Sequence, residues 1–390
     1  MLDFTYHVPT KVVFGRGGES QLAALIAAET PGKTVLLHYG GGSVKRSGLY
    51  GRLTALLQNA GYQIVALGGA QPNPRIELAR EGVRLAKETN ADFVLAVGGG
   101  SVIDSAKAIA LGALYDGDVW DFYEGLTPVE RLLPVGCVLT IAAAGSEMSD
   151  GTVLTSGERK VLCKSPLFAP RFSILNPENT FTLPAYQTAC GAADIASHIM
   201  ERYFSNTAGV DLSTRLLEAA LKTILIAGPC AVREPDNYDV RAEVMWCGTV
   251  GHNDILGVGR DQDWASHMIE HELSGLYDIA HGAGLAVITP AWMKYAAPRR
   301  PAFFARFARE VFGVDASDPA RAASLAIERM ESWFRSLGLP VRLREAGITR
   351  LSPETVAARV IKAGRGSVGS FVPLDEQAVL RILTIADDAP

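Results

Sequence analysis

The stretch Asp92-Phe93-Val94-Leu95-Ala96-Val97-Gly98-Gly99-Gly100-Ser101 decides the fold class. Its first six residues are almost continuously apolar, which predicts a strand buried on both faces rather than one with a solvated side. Three glycines end that strand, and a helical pattern follows through Leu111. A buried strand, a turn and a helix in succession form the repeating unit of a parallel α/β sheet. The unit recurs twice upstream. Lys33–His38 reads as a strand ending in Gly40-Gly41-Gly42-Ser43, with a helix over Leu49–Asn59. Tyr62–Leu67 reads as a strand followed by Gly68-Gly69 and a helix from Ile76 to Thr89. The expected class is a nucleotide-binding α/β domain with a parallel sheet.

Downstream, Gly136–Thr140, Thr152–Thr155 and Phe172–Leu175 read as the strands that close this half. After Leu183-Pro184 the pattern changes to long helical segments broken by Gly and Pro. The expected division is an α/β dinucleotide-binding domain over 1–183 and an all-α domain over 184–390, two domains being the natural prior for 390 residues. No internal repeat or low-complexity linker separates them.

Composition narrows the function classes. With 48% hydrophobic and 20% charged residues the chain is globular, not disordered. A net charge of −5 leaves no basic surplus for a nucleic-acid backbone. No apolar run approaches the roughly 18–20 residues that span a bilayer. The N-terminus has no basic region followed by an apolar core, so no secretory signal is expected. Cys137, Cys163, Cys190, Cys230 and Cys247 form no C-x-x-C pair and sit among apolar neighbours. They read as small buried hydrophobes of a cytoplasmic protein.

The glycine turns point to a cofactor. Glycine lets the backbone approach a phosphate, and the helix after Gly98, Gly99 and Gly100 offers free N–H groups at its positive dipole end. Ser101 is placed to cap that helix. Asp104, one turn in, is placed to act as a capping-box acid or to bind a ligand hydroxyl. The first turn, with Gly41, Gly42 and Ser43, bears on cofactor choice. NAD-specific folds place a carboxylate near the adenosine ribose, which repels a 2′-phosphate. This turn has no acid, and Lys45 and Arg46 follow it, so charge favours NADP(H) over NAD. Neither turn matches G-x-G-x-x-G, so a Rossmann-like variant is expected rather than the standard domain.

Five of the seven histidines fall between positions 198 and 281. Asp194 and His198 are four apart in a helical segment, which puts both on one helix face, and so are His267 and His271. His281 follows ten residues after His271. Imidazoles with a carboxylate suit Zn²⁺ or Fe²⁺. The spacing offers five candidate groups where four complete a site, and it does not choose among them.

Taken together, Asp194-x-x-x-His198-x-x-Glu201-x-Tyr203, His267-x-x-x-His271 and His281-Gly282 resemble the signature of the iron-containing (group III) alcohol dehydrogenases. Gly98-Gly99-Gly100-Ser101-x-x-Asp104 is similar to that family's pyrophosphate loop. The resemblance runs from Pro9-Thr10-Lys11-Val12-Val13-Phe14-Gly15 to the C-terminal helices. Tyr39–Lys45 and Asn237–Ala242 look like the butanol dehydrogenase and NADP-dependent broad-range aldehyde reductase branch. The resemblance implies a dehydroquinate synthase-like architecture with a helical metal-binding domain. It implies that Asp194, His198, His267 and His281 hold one divalent ion, Fe²⁺ or Zn²⁺, with His271 beside it as proton relay. It also implies that Thr140, Ser146 and Lys160 approach the cofactor, and that the protein is a homodimer. The implied reaction is hydride transfer between NADP(H) and a primary alcohol or aldehyde.

One loop departs from the family pattern. Where members often read Pro-x-Thr-Gly-Ser-Glu, this chain has Ala142-Ala143-Ala144-Gly145-Ser146-Glu147, without the proline and one hydroxyl. Two rivals share the scaffold: a polyol (glycerol-type) dehydrogenase and a dehydroquinate synthase-like lyase. The lyase needs several cations around a phosphate substrate. The 251–259 segment and the surroundings of Trp264 are mostly apolar, with only Arg260 close by in sequence, which favours an uncharged aldehyde.

Overall fold

The structure, a computed structural model, describes residues 1–387. Eight strands are present among them: β1 (Lys11–Phe14), β2 (Thr34–Tyr39), β3 (Gln63–Leu67), β4 (Phe93–Gly98), β5 (Val135–Leu139), β6 (Gly151–Ser156), β7 (Arg159–Lys164) and β8 (Phe172–Leu175). Six of them form one sheet in the order β1-β8-β5-β4-β2-β3, with every neighbouring pair parallel. The long apolar runs have their explanation here. Leu36, Val94 and Ala96 enter a core on one face with Ile103 and Ile109, whereas Val35, Leu37, Phe93, Leu95 and Val97 enter a core on the other with Leu53 and Leu57. Both faces are covered, so alternation disappears. Each fully buried Val, Leu, Ile or Phe among them contributes about 1.5–3 kcal/mol.

Two strands are not announced by the apolar pattern. β1 is a four-residue edge strand and β7 reads Arg-Lys-Val-Leu-Cys-Lys. β7 pairs antiparallel with β6 as a separate hairpin outside the parallel sheet.

Strand order locates a ligand site. From β2 the chain passes to β3 on one side, then returns to β4 on the other. This reversal opens a crevice at the carboxyl ends of β2 and β4, the position where open α/β sheets bind ligands. Both glycine turns leave the sheet there, because Tyr39 pairs with Val97 in adjacent strands.

The chain divides between Leu183 and Pro184 into an α/β unit and a helical unit, with two excursions. Pro235–Thr249 belongs to the α/β unit, where Trp246 packs edge-on against Phe14 at 6.0 Å and Arg16 lies 3.7 Å over the Tyr238 ring. Met1–Tyr6 belongs to the helical unit, where the terminal ammonium donates to Ala208 O (2.7 Å) and Leu2 N–H to Gly259 O (2.8 Å). The 1–183 and 184–390 division therefore omits both crossings. They are long-range contacts that no local pattern encodes.

The helical unit is built on the helices Ala185–Tyr203, Asp211–Arg233, Ala265–Tyr277 and His281–Ala296, followed by four more. Two of these run through an internal proline, Pro229 and Pro290, rather than breaking there. Phe204, Trp292, Phe304 and Phe371 form an aromatic core, with Phe204 and Trp292 centroids 4.9 Å apart. No helix among the described residues is long and apolar enough to cross a membrane.

Candidate metal and cofactor centres

The helical unit brings the predicted metal ligands together. Asp194 and His198 project from one face of the helix Ala185–Tyr203, His267 from the first turn of Ala265–Tyr277, and His281 opens His281–Ala296. A close backbone approach makes this meeting possible. A Cβ on Gly282 would lie 2.0 Å from the carbonyl oxygen of Cys190, one turn before Asp194. Only glycine at 282 lets the two helices come close enough for His281 to reach Asp194.

Asp194 Oδ1 is the hub. It lies 3.4 Å from His198 Nδ1, 3.8 Å from His267 Nε2 and 3.7 Å from His281 Nε2. Ligand atoms of Asp194, His267 and His281 all lie within 4.8 Å of one another. Asp194 Oδ1, His198 Nδ1 and His267 Nε2 are buried without a hydrogen-bond partner. Orphaned buried polar atoms are costly. A divalent cation held by Asp194, His267 and His281 would remove that cost at Asp194 Oδ1 and His267 Nε2, with His198 Nδ1 reaching the group at Asp194. The nitrogen and oxygen donor set fits Fe²⁺ or Zn²⁺.

Outer carboxylates fix the ring orientations. His267 Nδ1 donates to Glu201 Oε1 at 2.9 Å, which turns Nε2 toward Asp194. His281 Nδ1 donates to Glu270 Oε2, and Ser274 Oγ donates to Glu270 Oε1. A carboxylate behind each imidazole sets its tautomer and raises its basicity. Burial pushes His198 well below the usual imidazole range. Burial acts the same way on His267, but the nearby carboxylates of Asp194 and Glu201 outweigh it and lift the ring to about 9. Sequence reasoning assigned no role to Glu201 or Glu270. Each stands three residues after a ligand histidine on the same helix, and that repeated H-x-x-E spacing was the available signal.

His271 is half-buried, with its ring 5.4 Å from His281 and 6.4 Å from His267. It groups with Glu270 and His281, not with Asp194 and His267. The His252 ring, to which the sequence assigns no role, lies tilted by 56° with its centroid 4.1 Å from that of His198.

In the α/β unit, Gly98, Gly99, Gly100 and Ser101 turn from β4 into the helix Gly100–Gly112. A Cβ on Gly99 would lie 1.9 Å from Ile141 Cγ2, so the loop sits tightly on the segment after β5. Thr140 N–H donates to Gly98 O at 3.0 Å, which places Thr140 at the same crevice. Gly41, Gly42 and Ser43 are exposed beside it at the end of β2. Ala144 lies against Gly100, where an added Cβ would approach it to 2.8 Å, so a small residue fits there.

Two expectations change. Ser101 does not cap the helix: extended Gly99 occupies the N-cap and no side chain bonds the first turn. Asp104 does not close a capping box. Its carboxylate accepts Ser146 Oγ–H at 2.6 Å and Val153 N–H at 3.1 Å. Ser146 is itself buried between Asp104 and Lys107. The Lys107 ammonium, fully enclosed, donates to Ser146 O and Oγ, Ser149 O and Gly151 O at 2.8–3.0 Å. Burial lowers its affinity for a proton while the charge of Asp104 opposes that, and four oxygens around one nitrogen hold it as an ammonium. Lys160, on β7, lies near enough to Asp104 to favour its ionised form. In the sequence, Lys107 stands as a lone cation inside an apolar helical run, and that is the signal for its buried role.

Comparison with known proteins places this geometry in a family. Residues 9–177 match the iron-containing alcohol dehydrogenase family and residues 188–386 its C-terminal domain. The chain belongs to the iron-containing alcohol dehydrogenase family and is an enzyme of the NAD(P)-dependent alcohol dehydrogenase and aldehyde reductase class. Within it, the chain falls in the butanol dehydrogenase and aldehyde reductase branch. It is 40% identical over 386 residues to NADH-dependent butanol dehydrogenase A of Clostridium acetobutylicum, covering 98% of this chain and 99% of that one. It is 34% identical to the NADPH-dependent aldehyde reductase YqhD of Escherichia coli, over 95% of each. The crystal structure of NADH-dependent butanol dehydrogenase A from Thermotoga maritima superposes with a TM-score of 0.96 at 39% identity, covering 100% of this chain and 99% of that one.

Proposed function

We propose that the protein interconverts primary alcohols and aldehydes at a divalent metal held by Asp194, His198, His267 and His281. The observation that carries this reading is the meeting of Asp194, His267 and His281 ligand atoms within 4.8 Å of one another, with Asp194 Oδ1 and His267 Nε2 buried and partnerless. When bound, the ion supplies Lewis-acid polarisation of a carbonyl and the reduced nicotinamide supplies the hydride. The chain's own residues do the rest. Glu201 and Glu270 orient His267 and His281. Gly98, Gly99, Gly100 and the N–H groups of the following helix receive the pyrophosphate, with Ser101 and Thr140 beside them. Asp104, Ser146 and Lys107 brace that loop against the 140–151 segment, and Lys160 adds positive charge. His271, half-buried beside His281 and outside the Asp194 cluster, carries the proton to or from the substrate oxygen.

Exposed Lys45 and Arg46, with no acid between Gly40 and Arg46, leave the 2′-phosphate of NADPH unopposed. The enzyme therefore prefers NADPH to NADH, although its relatives include both an NADH-dependent butanol dehydrogenase and an NADPH-dependent aldehyde reductase. Fe²⁺ and Zn²⁺ both suit the donor set, and elemental analysis of the purified enzyme identifies the resident ion. All five cysteines are free thiols, in keeping with a cytoplasmic enzyme. We expect a homodimer, which light scattering on the eluted protein tests.

Treating the enzyme with a chelator should abolish butanal-dependent NADPH oxidation while NADPH still binds. Undiminished turnover by metal-free enzyme would overturn the proposal. His271→Ala should lower turnover about 10²-fold or more with the ion retained; loss of the ion would make His271 a ligand instead. Net consumption of NADPH excludes the lyase rival, and comparing butanal with glycerol decides against or for the polyol one.

A further inference from the structure

Arg202 follows His198 by one helical turn, and its side chain is 2% exposed. Its guanidinium makes a set of contacts that neither the ligand set nor the cofactor loop explains. Nη1 donates to the carbonyl of His198 (3.1 Å) and Nη2 to that of His252 (3.3 Å). Nε and Nη2 both donate to Asp254 Oδ1, at 3.2 and 2.9 Å. Gln262 Nε2 donates to the same oxygen at 3.1 Å, and Gln262 Oε1 accepts the Trp264 indole N–H at 3.0 Å. The Trp264 ring completes the enclosure, with its centroid 4.9 Å from the guanidinium carbon.

Two of these partners hold left-handed backbone conformations, Asp254 at φ 67° and Trp264 at φ 62°. A bulky residue such as Trp rarely adopts that region, and it persists only where surrounding contacts over-determine it. Arg202 is the group that contacts both. Trp264 is also the residue from which the helix Ala265–Tyr277 starts. The direction in which that helix begins decides where His267, two residues in, aims its Nε2. The Trp264 ring stands 5.1 Å from His267 and 5.9 Å from His198, so it also bounds the space in which both imidazoles can turn.

We propose that Arg202 is a positioning residue of the metal centre: through Asp254, Gln262 and Trp264 it locks the 253–264 loop, and thereby sets the aim of His267 relative to His198. The inference rests on the metal reading above. Lysine does not substitute, because one ammonium on a flexible stem cannot serve the His198, His252 and Asp254 oxygens in a fixed fork.

The test is metal binding rather than turnover. Wild type, Arg202→Lys, Arg202→Met and Asp254→Asn are each stripped and titrated with Co²⁺ against a competing chelator, and the visible spectrum of the Co²⁺ form is recorded. Both Arg202 variants should bind Co²⁺ about tenfold more weakly or worse, the typical effect of losing an outer partner of a ligand. Their spectra should shift, and NADPH affinity should stay within about twofold. Asp254→Asn, at a half-exposed residue that tolerates a left-handed turn, should change in the same direction by less. It decides the matter if Arg202→Met does not fold. Wild type binding one ion, with Arg202→Lys and Asp254→Asn matching its affinity and spectrum, would overturn the inference and leave the proposed function standing. Wild type binding no ion would overturn both.

Discussion

His38 and His267 are both buried histidines, one in each unit, and their surroundings make them chemically different groups. His38 sits in β2 with both ring nitrogens satisfied, Nδ1 by Leu67 O at 3.0 Å and Nε2 by Ser105 Oγ at 2.7 Å. Burial drives it down to about 4, so it stays neutral. His267 has Nδ1 bound to Glu201 and Nε2 facing Asp194 with no hydrogen bond, and two carboxylates lift it to about 9. Burial alone therefore does not mark a functional histidine. An unpartnered nitrogen aimed at a carboxylate does, because folding leaves such a pair exposed to a cost that only a cation or a proton relieves.

The contrast breaks first on ligand removal. His267→Ala should lose the ion and with it butanal-dependent turnover, whereas His38→Gln should keep the full metal content. Elemental analysis beside steady-state kinetics checks both, and an ion retained in His267→Ala would sink the distinction. Acid should then separate the two histidines in the opposite sense. The unfolded chain protonates His38 near 6.5 and the folded one near 4, so its contribution is fully present above 6.5 and lost as pH falls toward 4. That loss amounts to about 3 kcal/mol, and His38→Gln should flatten it in urea unfolding measured across this range.

Glycine close to the two centres sharpens the same comparison. Gly282→Ala forces a Cβ against the Cys190 backbone, which cannot step aside, while Gly99→Ala meets only the Ile141 side chain. The first should cost about 3 kcal/mol and much of the metal affinity; the second should cost about 1 kcal/mol and weaken cofactor binding. Thermal unfolding with parallel metal and NADPH titrations reads both. Smallest of all, Lys45→Ala should shift the NADPH-to-NADH ratio of kcat/KM by about threefold toward NADH, since an exposed charge is strongly screened. An unchanged ratio would remove Lys45 from cofactor choice.

Much of this was legible in residue order. β2, β3 and β4 were predicted within a residue or two, because a strand covered on both faces leaves an unbroken apolar run. The i,i+4 spacing put Asp194 with His198 and His267 with His271 on shared helix faces, which the helix enforces locally. The misses share a cause. β1 and β7 are half-solvated and depend on their partner strands. Ser101 was read as a cap because its type suits one, but the backbone of Gly99 took that position. Lys107, Glu201, Glu270 and Arg202 act through partners distant in sequence or on other elements, and a one-dimensional pattern carries no record of those partners.

The sequence by itself determined the α/β class, the change to helix at Pro184, and the supply of imidazoles and carboxylate, since periodicity and residue chemistry are local properties. Tertiary structure alone decided the rest. It returned Pro235–Thr249 to the α/β unit, set Gly282 against Cys190 so that His281 reaches Asp194, and turned His267 Nε2 inward by placing Glu201 behind it. Those outcomes depend on distances between segments far apart in the chain, and only packing fixes such distances.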